Sequence, residues 1–285
     1  MARILVTGAA GFLGSAVTAR LEERGDETRG FDRALGDDVS DAPAFDAALA
    51  GFHPDAVVHL AALLTPECAA DPPQGALANC VGTTVVLHGS LRAGVRTVIF
   101  ASSVAAIVPG SVYGATKAFG EHLAVALRPD HADARIIALR FGWVYGEGRT
   151  RGWNELHRLI EGFALERPEV RYPDYGGPLD WTYVDDASAA VIACLDRAPS
   201  SATVYDLAGD HRPVTDAIRH LGRRFPSVRT TSYVATTPPT AWSSLDGSLI
   251  ERDTGFRSGI RLEEGLDRTI DAIRRANGLA PALGR

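Results

Sequence analysis

The chain has 285 residues, of which 46% are hydrophobic and 22% are charged, a composition that is typical of soluble globular proteins. Its net charge of −6 gives no electrostatic reason to expect a nucleic acid or an anionic membrane as a partner. No apolar run is long enough to span a bilayer and the amino terminus lacks a signal-peptide pattern, so we expect no membrane partner and a cytoplasmic location. The widely spaced Cys68, Cys80 and Cys194 predict reduced structural thiols and no metal site.

Short apolar runs alternate with helical patterns along the first half of the chain. The runs are nearly continuous in apolar residues, which predicts parallel strands covered by helices on both faces. The expected fold class is α/β, with a Rossmann-type doubly wound parallel sheet. The predicted strands lie at residues 3–7, 27–32, 55–62, 95–103 and 134–142, and a long helix is predicted at 76–94.

Beyond about residue 145 the pattern changes. Pro and Gly become frequent, as in YPDYGGPLDW (172–181), and the predicted elements become shorter. We therefore predict a sheet domain over residues 1–145 and a smaller mixed carboxy-terminal substrate lobe over residues 146–285. Residues 180–210 are a segment that could return to the main sheet.

Gly8, Gly11 and Gly14 form a Gly-x-x-Gly-x-x-Gly pattern between the first strand and the first helix. Glycine permits a tight turn there and lets the backbone approach a pyrophosphate, which the free N–H groups of the helix amino terminus attract. Asp32 ends the second strand, near the place, about 20 residues on, of the acid that binds the adenosine ribose. The pattern predicts NAD as the cofactor. NADP remains the alternative cofactor because Arg33 could bind its 2′-phosphate. The alternative for Asp32 is that it is an ordinary turn residue at the end of the strand.

Tyr113 and Lys117 lie four residues apart in a predicted helix. Hydride transfer at a carbon that bears an oxygen requires an acid/base for the oxygen's proton. A tyrosine, which titrates near pH 10, needs a nearby positive charge to act at neutral pH, and Lys117 could supply it. The strand ending FASS adds Ser102 and Ser103 as hydroxyls for the substrate oxygen. The alternative is an ordinary aromatic residue and an ordinary surface charge.

The sequence resembles the extended short-chain dehydrogenase/reductase family, the group of sugar epimerases, dehydratases and dehydrogenases. The resemblance covers most of the chain and rests on the joint occurrence of several segments in family order. These segments are TGAAGFLG (7–14), DAVVHLAA (55–62), Asn79 in ANCVGT, VIFASS (98–103), YGATK (113–117), LRFGWVYG (139–146), WTYVDDAS (181–188) and GIRLEEGLDRTID (259–271).

The resemblance implies that Tyr113 is the acid/base, that Lys117 lowers its pKa and holds the nicotinamide ribose, and that Ser103 rather than Ser102 orients the substrate oxygen. It also implies a homodimer with a four-helix interface formed by residues 76–94 and 112–127. The further cofactor contacts that it implies are Phe12, Leu13, Arg33, Asp38, Val39, Leu60, Ala61, Ala62, Asn79 and Phe141.

Departures from the family pattern bear on the substrate. The three residues after Ser103 are apolar, so the acidic pair of the family's dehydratases is missing. Only nine residues separate Ser103 from Tyr113, and Trp143 stands where the family commonly has an asparagine that contacts a sugar nucleotide. These features favour a small substrate that is not a nucleotide. Arg149 and Arg151 could bind a carboxylate of this substrate, and the alternative is that they lie in a solvated loop. The other candidate substrate contacts are Leu64, Ser103, Trp143, Trp153 and Trp181. For the tryptophans, the alternative is packing in the core.

We therefore predict an NAD-dependent oxidoreductase that transfers hydride between NAD(H) and a secondary alcohol or ketone of a small sugar-like or sugar-acid substrate. Such an enzyme would be nearer to the family's uronate-type dehydrogenases than to its UDP-galactose epimerases. The alternative is a sugar or nucleotide-sugar epimerase with tightly bound NAD. A redox-sensing binding protein is a third possibility, although such sensors typically lose the tyrosine and lysine. His59, in an apolar strand, is interpreted as a core histidine.

Overall fold

The structure is a computed structural model that describes residues 1–149, 155–199, 204–235 and 244–282. Six parallel strands form its main sheet, and every strand predicted from the apolar runs belongs to it. This architecture confirms the α/β fold class. In spatial order the strands are β2 (Glu27–Phe31), β1 (Arg3–Thr7), β3 (Ala56–His59), β4 (Thr97–Ser103), β5 (Arg135–Phe141) and β9 (Val204–Leu207).

Alternate side chains of each strand enter two separate apolar layers. In β1, Ile4 and Val6 enter one layer and Leu5 enters the other. Because helices cover both layers, the strands are apolar at nearly every position. The first layer is covered by α1 (Phe12–Glu23) and α8 (Val184–Arg197), and the second by α2 (Ala42–Phe52), α5 (Gly82–Arg92) and α6 (Val112–Leu127).

The carboxyl ends of the strands lie at one edge of the sheet. Thr7 is in register with both Phe31 and His59, and Ser103 is in register with Phe141. The loops that follow these strands therefore emerge side by side. Ligands of open α/β sheets bind at this edge where the strand order reverses, which here is between β1 and β3.

The long helix predicted at residues 76–94 is interrupted by a wider turn. The chain runs from α3 (Thr65–Ala70) into α4 (Pro72–Ala76), then through a π-helical turn, Leu77–Val81, into α5. Such turns are rare and are found frequently at functional sites. Here the turn carries Asn79.

The second half of the described chain forms smaller sheets beside the main one. β6, β8 and β10 make a three-stranded mixed sheet, and β7 and β11 form a parallel pair. The strands are β6 (Trp143–Tyr145), β7 (Glu169–Asp174), β8 (Pro178–Tyr183), β10 (Asp210–Pro213) and β11 (Arg229–Val234), and the helices are α7 (Glu155–Ala164), α9 (Val214–Arg224), α10 (Ser248–Thr254) and α11 (Leu262–Ala276).

Residues 180–210 contribute to both sheets. β8 lies in the small sheet, whereas α8 covers the main sheet and β9 pairs with its edge strand β5. The division of the chain at residue 145 stays a prediction. None of the helices in the described ranges is long and apolar enough to cross a lipid bilayer.

Candidate active site

The glycine loop between β1 and α1 has the geometry that a pyrophosphate requires. Gly8 has φ +72°, and a Cβ there would lie 2.6 Å from the backbone nitrogen of Ala61. A Cβ on Gly14 would lie 2.0 Å from the carbonyl oxygen of Gly8, so only glycine lets the helix approach the strand. α1 begins after Gly11, and no side chain in the described part of the molecule caps it. Its first N–H groups can therefore bind an anion, and the residues fit the cofactor.

Asp32 is fixed by two backbone groups at the end of β2. Its Oδ1 accepts a hydrogen bond from Ala34 N at 2.8 Å, and its Oδ2 accepts one from Ala10 N in the glycine loop at 3.1 Å. Arg33 donates from Nε and Nη2 to Asp38 Oδ2 at 3.1 and 2.8 Å. Because its guanidinium is already bonded to a carboxylate, Arg33 is a weaker candidate for a 2′-phosphate than the sequence suggested.

The loop after β3 passes directly over the glycine loop. Leu60 N donates to Thr7 O at 3.0 Å, and Ala61 N donates to Thr7 Oγ1 at 3.3 Å. Leu60, Ala61 and Ala62 are half-buried there, so their remaining surface is available to a cofactor. Thr7 also bonds His59, and this contact ties the loop to the core.

Asn79 uses its side chain to join this loop to α6. Its Oδ1 accepts from Leu63 N at 2.8 Å, and its Nδ2 donates to Leu63 O at 2.9 Å and to Thr116 Oγ1 at 3.0 Å. Only 2% of Asn79 is exposed. These bonds suit a positioning role, and the contact of Asn79 with the cofactor stays a prediction. Val39 and Phe141 are also buried apolar residues, which leaves little of their surface for a cofactor.

Ser103, Tyr113 and Lys117 meet at the carboxyl end of β4. The side chains of Ser103 and Tyr113 are hydrogen-bonded to each other. Lys117 Nζ donates to Ala101 O at 2.7 Å and lies 5.5 Å from the centre of the Tyr113 ring. Ser111 begins α6 by accepting a hydrogen bond from Gly114 N at 3.1 Å, which fixes the turn that carries the tyrosine.

The protonation of this group differs from the expectation in one respect. Burial raises the pKa of Tyr113 to about 12, against the opposing effects of the Ser103 hydrogen bond and the Arg149 charge. Burial also lowers the pKa of Lys117 to about 8. Burial is the largest influence on this pKa, and Ser103 and Arg149 oppose it. The lowering of the tyrosine pKa by Lys117 stays a prediction. Tyr113 holds its proton at neutral pH in this state.

The predicted substrate residues are divided between the site and the core. Arg149 Cζ lies 5.3 Å from the Phe12 ring centre and 5.4 Å from that of Trp143. Trp181 is only 1% exposed and donates from Nε1 to Arg212 O at 2.9 Å, so its predicted sugar contact is corrected to core packing. Leu64 is half-buried at the start of α3. Arg151 and Trp153 lie outside the described residues.

Two polar groupings near the candidate site were missed by sequence reasoning. A network of hydrogen bonds joins Glu121 to Ser102 and Arg140, and Arg140 to Asp206, next to the contact of Lys117 with Ala101. The signal was present, because Glu121 follows Tyr113 and Lys117 at the same four-residue spacing and so lies on their helix face. His157 on α7, near Arg149, is the second group, and its spacing in the sequence carried no signal.

The sequence pattern of the NAD dependent epimerase/dehydratase family matches residues 4–208. The chain belongs to this family. The match confirms an NAD-dependent enzyme of the extended short-chain dehydrogenase/reductase type, and the roles of Ser103, Tyr113 and Lys117 in it stay predictions. The homodimer, the cytoplasmic location and the nearness to sugar-acid dehydrogenases stay predictions.

Several of the similar proteins are named as epimerases of nucleotide sugars. A UDP-glucose 4-epimerase of Mycolicibacterium smegmatis is 36% identical over 76% of this chain and 69% of its own length. A dTDP-L-rhamnose 4-epimerase of Burkholderia thailandensis is 27% identical over 79% of this chain and 83% of its own. The crystal structure of Thermus thermophilus UDP-glucose 4-epimerase with NAD has a TM-score of 0.83 at 24% identity, covering 96% of this chain and 99% of that one, and so shares its fold.

Proposed function

We propose that this enzyme transfers hydride between NAD(H) and a secondary alcohol or ketone of a small sugar-like or sugar-acid substrate. The observation that carries the proposal is the Ser103, Tyr113 and Lys117 group at the same sheet edge as the glycine loop. A binding protein that only senses a nicotinamide cofactor would have no use for this acid/base group. The substrate oxygen would lie at the Ser103 and Tyr113 hydroxyls.

The residues of the chain have defined tasks in this reaction. NAD, when bound, supplies the hydride acceptor for oxidation or the hydride donor for reduction. Tyr113 Oη donates its proton to the ketone oxygen during reduction and accepts the hydroxyl proton during oxidation. Ser103 Oγ hydrogen-bonds the same oxygen and orients it. Lys117 Nζ, fixed by the Ala101 carbonyl, contributes positive charge beside the tyrosine ring.

The protonation state of Tyr113 favours reduction of the substrate over its oxidation at neutral pH. With its pKa raised to about 12, Tyr113 is a proton donor at neutral pH. Oxidation requires the phenolate, which the positive charge of the oxidised cofactor would stabilise in addition to Ser103 and Arg149. The enzyme should therefore oxidise its substrate best at alkaline pH and reduce it best at lower pH.

Two features support a small substrate. Trp143 stacks on Tyr145 with ring centres 5.8 Å apart and planes at 7°, so its indole is held where the family commonly has an asparagine. A diphosphate that meets this apolar wall would lose about 1–3 kcal/mol for each group left without a partner. The connection from Ser103 to Tyr113 folds close to α6, because a Cβ on Gly114 would lie 2.5 Å from Ala105 O.

A second candidate is a nucleotide-sugar epimerase that oxidises and re-reduces the same carbon with retained NAD. The names of the similar proteins favour it, since both relatives are 4-epimerases of nucleotide sugars. Trp143 is half-buried rather than fully exposed, so a nucleotide could bind beside its indole if the enzyme is an epimerase. The chemistry at Tyr113 is common to both candidates, and only the substrate and the fate of the cofactor differ.

We also propose that two copies of the chain associate through the helices from residue 72 to 92 and α6. Four large apolar side chains on these helices face solvent: Leu77, Val81, Phe119 and Val125 are 42%, 45%, 40% and 55% exposed. Such a patch on neighbouring helices is typical of an interaction surface. In such a dimer, the apolar side chains of these helices that do not face the sheet would pack against the second copy of the chain.

Two measurements on the purified enzyme separate these candidates. A panel of sugars, sugar acids and polyols is offered with NAD, and NADH is followed by its absorbance, with the Tyr113→Phe variant as the control. Calorimetric titration of the NAD-loaded enzyme with UDP, GDP, dTDP and their hexoses tests nucleotide binding. NADH from a free sugar with no nucleotide binding supports the dehydrogenase. Micromolar nucleotide binding, with NAD retained on dilution and no NADH released, overturns it in favour of the epimerase.

A further inference from the structure

β11 is an outer strand of the two-stranded parallel sheet and lies open to solvent. It pairs with β7 in register over six residues, and five of the six are exposed, Val234 to 84%. Parallel strands are normally covered on both faces, and sheets of only two strands are marginally stable in water. The pair formed by β7 and β11 therefore has the character of an incomplete sheet.

The backbone groups on the outer side of β11 have no partner among the described residues. Arg229 N donates to Pro168 O at 3.2 Å and Ala235 N donates to Asp174 O at 3.1 Å, so residues 229 and 235 face β7. The N–H and C=O groups of successive residues in a strand point to opposite sides, so residues that bond β7 alternate with residues that point away from it. The outward residues are Thr230, Ser232 and Val234.

The other edge strands of the described chain have features that prevent pairing with a further strand. β2, β7, β9 and β10 each carry a charged residue inside the strand, and β6 has only three residues. Charges, prolines and short length are the features by which native edges avoid edge-to-edge association. From Thr230 to Val234, β11 has none of them, and its sequence there, TTSYV, is rich in residues that favour strands.

We propose that β11 pairs antiparallel with β11 of a second copy of the chain, about a two-fold axis at Ser232. In this register Ser232 faces its counterpart in the second copy and Thr230 faces Val234, so each outward residue exchanges two hydrogen bonds with another outward residue. A shift by two residues would leave Thr230 or Val234 without an outward counterpart within the strand. The product is a four-stranded sheet with the order β7-β11-β11-β7.

The charges and side chains of β11 match those of a second β11. Arg229 is the only charged residue of the strand and would face Ala235, so no like charges are opposed. Thr231 would face Tyr233 in a closely spaced pair, and such pairs of β-branched and aromatic residues stabilise sheets. A two-fold interface requires this kind of self-complementary surface. An extended peptide of a different protein could use the same backbone groups, and it is the alternative that the experiment has to separate.

The first test is amide hydrogen exchange, resolved residue by residue by NMR. One six-residue strand from each copy is far below the size of a stable interface, so we expect a dissociation constant of about 0.1–1 mM. The Phe119→Glu variant is used, because its charge opposes association through α6. Between about 0.02 mM and about 1 mM protein, exchange of the outward amides should slow at least threefold. The amides of Thr231 and Tyr233, which face β7, should be protected equally at both concentrations.

The proposal is overturned if the outward amides exchange at the same rate at both concentrations, whether fast or already protected. Because the purified protein is the only chain in solution, a peptide of another protein cannot produce protection that rises with concentration. The result does not depend on the substrate or on the reaction at Tyr113.

Charges at Ser232 test the position of the axis. In the Phe119→Glu background, Ser232→Glu and Ser232→Lys each oppose like charges across the axis and should weaken association at least tenfold. An equimolar mixture of the two opposes unlike charges and should restore it. Ser227→Glu and Ser227→Lys, at an exposed residue before β11, are the matched controls and should associate as the parent does, alone or mixed.

Sedimentation at about 1 mM protein measures this association, and melting temperatures show that each variant is folded. A loss in both Ser232 variants that the mixture does not restore overturns the proposal. So does association of either variant that equals that of the parent, or a loss of the same size in the Ser227 controls.

Discussion

The Ser102 hydroxyl donates a 2.5 Å hydrogen bond to Glu121 Oε1, and this contact is one of three that fix α6 against β4. Lys117 reaches the carbonyl of Ala101, and the Tyr113 and Ser103 side chains are bonded to each other. Three consecutive residues of the strand thus each hold one residue of α6. The positions on α6 are four apart, so one helix face carries all three contacts.

Glu121 should be a positioning residue for this helix. Arg140 binds it through two hydrogen bonds of 2.7 Å, so Glu121→Gln would leave the arginine with only Asp206 as a carboxylate partner. We expect a loss of about 1–3 kcal/mol in the free energy of unfolding and a lower kcat, measured by denaturant titration and steady-state kinetics. The pH profile of turnover should also shift, because Tyr113 is displaced, whereas a purely structural role would leave the profile unmoved.

The exposed pair of Glu161 and Arg167 provides the control for this prediction. Glu161→Gln removes a carboxylate from a 3.0 Å ion pair that is open to solvent, and such pairs contribute roughly 0–1 kcal/mol. Stability and pH profile should both stay close to those of the wild type. Equal effects of the two substitutions would show that the buried network has no special role.

Tyr113→Phe should separate catalysis from cofactor binding. The variant loses the proton-carrying hydroxyl but keeps the ring, so kcat should fall by about 10²–10⁴-fold while NAD affinity changes little. Lys117→Ala should lower both, because Nζ lies beside the tyrosine ring and is held by Ala101. NAD affinity is measured by calorimetry and turnover by NADH absorbance. Near-normal turnover of Tyr113→Phe would remove the tyrosine from the mechanism.

Asp32 should control the choice between NAD and NADP. Asp32→Ala deletes a carboxylate that is held by Ala10 and Ala34, and with it both a ribose acceptor and a charge that repels a 2′-phosphate. NAD should bind more weakly and the gap to NADP should narrow, as measured by the two dissociation constants. Arg33→Ala serves as the paired variant. A wild type that already prefers NADP would assign the choice to Arg33 instead.

The strands and the glycine loop could be predicted from the sequence because local chemistry dictates them. Val57 and Val58 lie on opposite faces of one buried strand, so their apolar run needs no knowledge of the partners. Gly8 and Gly14 are required by contacts within the same strand, loop and helix unit. For such features the neighbours in space are also neighbours in the chain.

The roles of single large side chains could not be predicted in this way. Trp181 and Trp143 are both tryptophans at strand positions, yet one is fully buried and bonded to Arg212 while the other reaches Arg149. β6 and β8 pair the two residues side by side, so their rings lie on one face of the small sheet, 5.1 Å apart. Trp181 lies on the central strand β8 and Trp143 on the edge strand β6, which is why only the first is fully covered. The order of the strands in this sheet is set by the packing of the whole lobe and is not encoded within either segment.

The exposed apolar face of α6 and the preceding helices should mediate self-association. Phe119→Glu places a charge among the exposed apolar side chains of α6 and the helices before it, so a dimer would be weakened or lost. Sedimentation at micromolar concentration should show a dimer for the wild type and the 30.3 kDa monomer for the variant. Leu279→Glu, at an exposed apolar residue after α11, is the control. A wild type that sediments only as a monomer would contradict the prediction.

His59 should make the folded state sensitive to acid. Its ring is buried between Thr7 Oγ1 at 2.7 Å and Thr83 Oγ1 at 3.1 Å, and burial lowers its pKa to about 3. The unfolded chain, with a histidine pKa near 6.5, then binds more protons than the folded one between these values. The contribution of His59 to stability is complete above pH 6.5 and is lost progressively as the pH falls towards 3.

The His59→Gln variant should remove this dependence, since glutamine can bond both threonines but does not titrate. Between pH 7 and pH 5 the wild type should lose about 2 kcal/mol of unfolding free energy more than the variant does, at about 1.4 kcal/mol for each unit below the unfolded pKa. Urea denaturation at the two pH values measures the difference. His88→Gln, at an exposed position of α5, is the control and should behave as the wild type. Parallel losses in wild type and His59→Gln would mean that the buried imidazole accepts a proton without cost, against the desolvation argument.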